Sequence, residues 1–377
     1  MLSNMPVVTV EQFSKIIEDQ YREGIKRPIF GLGKGGIGKT ESIMNLAKNK
    51  LHIGYIDIRL LLYAETDLKG IPYPSADNKS TVWLQNNVLP TVERDGENGI
   101  LVLDEITSVS KSIRTAAYQL LNERKLGQYE LPEGWMVVCL GNGEEDGGDF
   151  EGMEANFTNR CSLFNVVPDI DTWRQWAFNN NINYLVLAYL NFRPQDLHTF
   201  DPDSESDLLF ASPRSWKAVS DVLNKHPYNK DDLLTELRIL GNIGTTVGHR
   251  FTAFCNYKNG LVNPEDIVNG VVLEFNPENS ESVYITVQSV VNLVAEKTAR
   301  DIKNKSALQV DTIIYWINAV KWMLSLTNLE YRIMAIKDLI ASNRQAAVKL
   351  FMNQGFISKV PELSEFVQSN SGIFDRG

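Results

Sequence analysis

The 377-residue chain holds three cysteines, Cys139, Cys161 and Cys255, which lie far apart and form no C-x-x-C spacing. That excludes a disulfide framework and fits a reduced, cytosolic compartment. The four histidines, His52, His198, His226 and His249, are scattered without metal-ligand spacing. No Ser-His-Asp or Cys-His arrangement can be argued. Positive charge is in deficit, with 37 Lys and Arg against 47 Asp and Glu, a net charge of −10. This balance counts against a wide nucleic-acid surface, although a local basic pore loop escapes such an average. Long hydrophobic runs are missing too. The most apolar stretch, TIIYWINAVKWMLSL, is interrupted by Lys321 and flanked by Asp311 and Glu330, and reads as a buried helix rather than a membrane span. The opening MLSNMPVVTV lacks the basic start and apolar run of a signal peptide. A cytoplasmic protein without membrane insertion is expected. There is no internal repeat and no low-complexity tract.

What is present is an alternation. Through the first 170 residues, short β-branched runs take turns with helical patterns, as in a mostly parallel α/β sheet. RPIFGLG, HIGYIDIRL, NGILVLDEI, WMVVCLGN and CSLFNVV read as five strands, the third apolar throughout as if buried on both faces. ESIMNLAKNK opens a helix, and Lys111–Glu123 forms another between the third and fourth strands. Pro168 closes this region. Beyond it the pattern is helical to about residue 290, with a polar loop at 193–207, and long helical periodicity fills 290–345.

GLGKGGIGKT, residues 31–40, fits two phosphate-binding patterns. Gly31, Gly33 and Gly36 spell the dinucleotide fingerprint, with Asp57 downstream as its ribose carboxylate. Gly33, Gly38, Lys39 and Thr40 spell the triphosphate loop. The second pattern needs glycines so that backbone N–H groups face the phosphates, a lysine for the β and γ oxygens, and a hydroxyl for Mg²⁺. Lys39 and Thr40 supply the last two where a helix opens toward the same anion, and a dinucleotide site has no use for that pair. ILVLDEI then sets Asp104 and Glu105 at the end of an aliphatic strand. There Asp104 can hold Mg²⁺ through water, and Glu105 can polarise a water that attacks the γ-phosphate. Gly33, Lys34, Gly35, Gly36, Ile37, Gly38, Lys39, Thr40 and Glu41 are therefore read as the ATP loop, with Thr40 and Asp104 on the metal. Asp57 becomes a residue near the same face rather than a ribose ligand.

With these motifs in order, residues 25–225 resemble the AAA+ ATPases, and within them the MoxR-like group. GKGGIGKT is similar to Walker A and LVLDE to Walker B. ETDLKGIPYP and STVWLQNNVLP resemble the segment after the second strand, with its D-L-x-G signature, where this group carries an extra helix insertion. LLNERKLGQYELPEGWMVVCLGN resembles the run ending in sensor 1, which makes Asn142 the sensor. ANFTNRCSLFNV is similar to the arginine-finger segment around Arg160, with Cys161 where an apolar residue is usual. SPRSWKAVSDVL resembles the start of the sensor 2 helix at Arg214.

Physical readings stand beside these. Asn142 at a strand tip can hydrogen-bond the γ-phosphate and attacking water, or simply occupy a Gly-Asn-Gly turn. Arg160 can reach a neighbour's γ-phosphate, where a cation accelerates transfer, or make a surface salt bridge. Arg214 sits in the first turn of a helix, where a cation opposes the dipole, which favours a phosphate contact. The resemblance implies a five-stranded α/β core over 1–168, an α-helical lid over 169–290 and a C-terminal helical extension over 291–377. It implies a homo-oligomeric ring, most often hexameric, with ATP and Mg²⁺ at each interface and Arg160 acting in trans. It also implies remodelling or maturation of a protein client, often with a von Willebrand factor A domain partner. Two rivals stay open: a nucleic-acid motor or loader, and a nucleotide-gated scaffold with negligible turnover. The acidic loop GEEDGGDFEGME, residues 143–154, lacks calcium-loop spacing and reads as solvated.

Overall fold

The computed structural model describes residues 5–77, 79–84, 87–143, 159–201, 209–256, 262–272, 277, 279–305 and 307–370. Most of the acidic loop, residues 155–158 ahead of Arg160 and residues 202–207 of the polar loop lie outside these. The chain forms two compact units, one of residues 1–172, 200–208 and 212–214, the other of residues 173–199, 209–211 and 215–377.

The first unit is built on a parallel sheet of six strands: β1 (Val7–Thr9), β2 (Ile29–Leu32), β3 (Gly54–Arg59), β4 (Asn98–Asp104), β5 (Gly134–Gly141) and β6 (Ser162–Val167), in the order β1-β6-β2-β5-β4-β3. The five strands legible in the sequence are joined by β1, which pairs with β6 at the sheet edge. Thr9 ends β1 and caps the helix α1 (Val10–Arg22) in a reciprocal box with Gln12. Ile100, Leu101, Val102 and Leu103 of β4 are all buried, as a strand covered on both faces requires. Alternate residues serve the two faces: Leu101 and Leu103 pack with the helix Lys111–Glu123, and Ile100 and Val102 with α1 and the helix after β2.

One bulky residue fixes the register of three strands. Trp135 is fully buried, and its indole N–H donates to the Gly96 carbonyl at 3.0 Å. Its ring lies where a side chain on Gly54 or Gly99 would be, so these glycines face each other across β3 and β4 to make room. The segment between β3 and β4 holds a five-residue helix, Glu65–Lys69, stopped by Gly70 at φ 87°, and an antiparallel pair, Ile71–Pro74 with Thr81–Leu84. Pro72 and Pro74 cannot donate to a further strand, which blunts that edge.

The second unit is helical. Its core gathers Val287, Val291, Trp316, Val320, Trp322, Ile336 and Leu339. Helix Ser280–Lys305 runs through positions 290 and 291. Asp338 is fully buried and accepts from Asn191 at 2.8 Å and from Gln288, with Arg174 at 3.4 Å. Those partners come from helices Ile170–Asn179, Tyr184–Phe192 and Ser280–Lys305, so one carboxylate ties early helices of this unit to late ones. Such a group holds its partners because leaving any of them unpaired in the interior is costly. Among the described residues no helix is long and apolar enough to cross a membrane.

Candidate nucleotide site

The sheet order brings three loops together. β2 lies between β6 and β5, and β5 lies between β2 and β4. The carboxyl ends of β2, β5 and β4 carry the glycine loop, Asn142 and the Asp104–Glu105 pair. Ligands of parallel α/β sheets bind outside such ends, where the chain switches direction across the sheet.

The glycines of the loop are required by geometry. A Cβ on Gly33 would fall 2.0 Å from the Val166 carbonyl oxygen of β6. Gly36 and Gly38 have φ of 77° and 94°, in the left-handed region. Gly38 precedes the helix α2 (Lys39–Asn45) and supplies no side-chain cap. A π-helical turn, Leu46–Leu51, prolongs α2. Lys39 is buried, and its ammonium donates to the carbonyls of Gly33 at 2.6 Å and Lys34 at 2.8 Å. The charge is thereby held inside the loop. Lys34, Gly35 and Thr40 are half-buried, Ile37 is buried and Glu41 is exposed.

Thr40 Oγ1 donates to Asp104 Oδ2 at 2.7 Å, and the Glu105 N–H donates to Asp104 Oδ1 at 2.8 Å. Glu105 itself has φ 62° and ψ 27°, a left-handed conformation rare for a side chain of this kind. The backbone therefore turns sharply at the carboxylate pair. The hydroxyl–carboxylate pair beside a buried lysine suits a hard divalent cation with a phosphate, because both oxygens are hard donors. Among the described residues no cluster of three metal-ligating side chains exists, so such a cation would keep water in its shell.

Asn142 follows β5, level with Gly33, since Leu32 pairs with Gly141. Its N–H donates to Thr107 Oγ1 at 3.1 Å, and Thr107 also abuts Gly141, where a Cβ would lie 2.6 Å from its methyl group. Arg214 is exposed, but its backbone N–H donates to the Gly36 carbonyl at 3.2 Å. Buried Ser212 stands over Gly36 in the same way. The segment carrying Arg214 thus rests on the glycine loop.

Arg160 is not brought to this place. It is exposed and precedes β6, at the amino end of the strands, with Ser162 paired to Ile29. Gly33 stands beside Val166, four residues along β6 from its first residue Ser162, about 13 Å at some 3.3 Å per residue, and Arg160 lies before that start. That is farther than an arginine side chain reaches, so Arg160 cannot touch a phosphate in its own chain's glycine loop.

Thr107, Ser212 and Tyr55 escaped the sequence reading, whereas Asp57 was expected near this face. Thr107 and Ser212 are buried polar groups beside the loop. Asp57 lies within β3, and its Oδ1 is buried without a hydrogen-bond partner among the described residues. Burial, and then the nearby Asp104 charge, raise its carboxyl above the usual range, while Arg59 at 3.9 Å opposes the shift. Tyr55, two residues earlier on the same face, donates to the Thr40 carbonyl at 3.4 Å, and burial raises its phenol strongly. The alternation Tyr55-Asp57-Arg59 is the signal that marks this polar face.

No protein-family model matches the chain, and no curated protein is significantly similar to it. Among solved structures, it is similar to a closed-state reconstruction of Hsp104 with ATPγS and FITC casein, at 16% identity and a TM-score of 0.37, over 66% of this chain and 46% of that one. NtrX from Brucella abortus gives 12% identity and 0.36, over 91% and 70%. A RuvB variant from Thermotoga maritima gives 12% and 0.34, over 69% and 74%. The chain spans about half the length of the Hsp104 chain. Likenesses this low carry no argument, and the site stands on its own geometry.

Proposed function

We propose that the chain binds ATP with Mg²⁺ at the carboxyl ends of β2, β4 and β5 and hydrolyses it, as an AAA+ ATPase of the MoxR-like group. The observation that carries this is the 2.7 Å contact of Thr40 with Asp104 beneath a loop whose buried lysine faces its own carbonyls. Thr40 and Asp104 would hold Mg²⁺, which when bound neutralises charge between the β- and γ-phosphates. Lys39 exchanges loop carbonyls for phosphate oxygens, and the N–H groups of residues 35–41 line the same anion. Glu105 is the base that orients and deprotonates the attacking water. Asn142, set at the height of Gly33, hydrogen-bonds the water and the γ-phosphate. Arg214 senses the nucleotide through the segment seated on Gly36 and moves the lid.

Arg160 completes the site of a neighbouring copy. Its station at the far end of the sheet supports this, since within one chain it has no phosphate to meet. The chains then associate as a ring, six being the expected number. Turnover drives remodelling or maturation of a protein client, with a von Willebrand factor A domain protein as a candidate partner. The boundaries 1–168, 169–290 and 291–377 are proposed as functional divisions into core, lid and extension.

The test is a pair of variants read by nucleotide binding and phosphate release. Lys39→Ala should lose ATP binding with its fold intact. Glu105→Gln should bind ATP like the wild type and turn it over roughly 100-fold more slowly. Normal affinity in the first or normal turnover in the second would overturn the assignment. Turnover that rises on adding DNA would favour a nucleic-acid motor, and negligible wild-type turnover a gated scaffold.

A further inference from the structure

Arg27 and Arg160 precede two adjacent parallel strands, β2 and β6, at the amino ends of both. The two stretches run side by side, with the Ser162 N–H donating to the Pro28 carbonyl at 2.9 Å. Arg27 makes two further bonds across this seam. Its Nη2 donates to the Asn159 carbonyl at 2.8 Å and to the Cys161 carbonyl at 2.9 Å. These carbonyls belong to the residues immediately before and after Arg160.

Each residue flanking Arg160 is therefore pinned, while Arg160 itself stays exposed. Cys161 is buried, and burial pushes its thiol up to about 11, so it serves as an inert apolar plug. Arg27 is held in turn from the other side. Its own carbonyl accepts from Gln20 Nε2 of α1 at 2.5 Å, and Pro28 fixes the backbone after it. A chain of contacts runs from α1 through Arg27 to the carbonyls of Asn159 and Cys161, on either side of Arg160. A charge-assisted bond to each carbonyl is stronger than a neutral one and directional.

We propose that Arg27 is a positioning residue for Arg160: it holds the carbonyls of the residues on both sides, so that the exposed guanidinium leaves the amino edge of the sheet in one direction. This rests on the reading of Arg160 as a group that completes a neighbour's site. A cation aimed across an interface is useful only if its backbone is held, since a displacement of about 1 Å from the reacting groups can cost roughly 100-fold in rate. The bland alternative is that Arg27 merely staples β2 to β6.

The experiment uses the full-length chain, with ATP affinity, turnover at saturating ATP and thermal melting read for each variant. Arg27→Ala should bind ATP like the wild type and turn over roughly tenfold to 100-fold more slowly. Arg27→Lys should recover part of the rate, because an ammonium keeps the donors but not the reach of the guanidinium. Arg27→Ala combined with Arg160→Ala should be no slower than Arg160→Ala alone. Mixing Arg27→Ala with Lys39→Ala should restore activity, since the second chain offers a well-held Arg160 to the intact pocket of the first. A staple alone predicts lowered melting, additive losses in the double variant and no rescue on mixing, and any of the last two would overturn the proposal. If Arg27→Ala does not fold, the lysine variant carries the same mixing test. Wild-type turnover in Arg160→Ala would remove the reading beneath the proposal, whereas a slow Arg160→Ala beside a normal Arg27→Ala would remove the proposal only.

Discussion

Thr40 Oγ1 and Asp104 Oδ2 lie 2.7 Å apart, although 64 positions separate them in the chain, and the bond joins the first turn of α2 to the end of β4. Removing either oxygen should weaken the metal-dependent part of nucleotide binding. Thr40→Val and Asp104→Asn are expected to bind nucleotide normally in a chelator and to lose about tenfold of the affinity gained with Mg²⁺, the worth of one charge-assisted contact. Titration calorimetry with and without Mg²⁺ measures this. An unchanged Mg²⁺ dependence in both variants would put the metal elsewhere.

Glu105 occupies a left-handed backbone conformation, φ 62° and ψ 27°, that costs an ordinary side chain roughly 1 kcal/mol. Glu105→Gly should therefore be more stable than Glu105→Ala by about that amount, while neither hydrolyses ATP. Urea unfolding of the two variants is the check. Equal midpoints would mean that the turn is not strained.

Gly33 and Gly35 offer a contrast within one loop. A Cβ at Gly33 would strike the Val166 carbonyl at 2.0 Å, whereas nothing stands within 4 Å of a Cβ at Gly35. Gly33→Ala must part β2 from β6 and should lose about 3 kcal/mol. Gly35→Ala should stay within about 0.5 kcal/mol of the wild type. Thermal melts of both would show whether the loop is built as described.

Glu18 is buried at the foot of α1, with Lys50 at 2.6 Å and Arg22 at 3.1 Å. The Lys50 hydrogen bond, with Arg22 and the Coulomb attraction behind it, holds the carboxyl down to about 2 from an ordinary 4.5. A depressed folded-state value means that the stabilisation is full above pH 4.5 and is lost as pH falls toward 2. Between pH 5 and pH 2.5 the wild type should lose more stability than Glu18→Gln. Parallel loss in the two proteins would show that Glu18 is not the group responsible.

The strands were legible where burial writes itself into composition. ILVLDEI could only be a strand covered on both faces with its polar pair at the tip, and the structure ends β4 at Asp104. The loop glycines were legible because Lys39 and Thr40 follow them at fixed spacing. β1 was not, since three residues, Val7–Thr9, become a strand only by pairing with β6 some 160 positions away. The strand order was equally hidden, because parallel pairing is decided by packing between distant segments. Asp338 carries no signal in the sequence, because the groups that close around it, Asn191 and Gln288, come from distant segments. Arg27 carries no motif at all, because what it holds are carbonyls, which every sequence has.

The polarity of the sheet has a further arithmetic. If Arg160 completes a neighbour's site as proposed, a chain with its phosphate loop at one end of the strands and Arg160 at the other pairs with a copy of itself head to tail, not face to face. Such contacts close on themselves or propagate, according to the rotation between successive copies. In an open arc the terminal chain at one end has a pocket and no incoming arginine, and at the other an arginine with nowhere to go. The complete sites are then one fewer than the chains. Activity per chain would then climb with arc length and reach its ceiling only at closure, and the turnover number would report the degree of assembly.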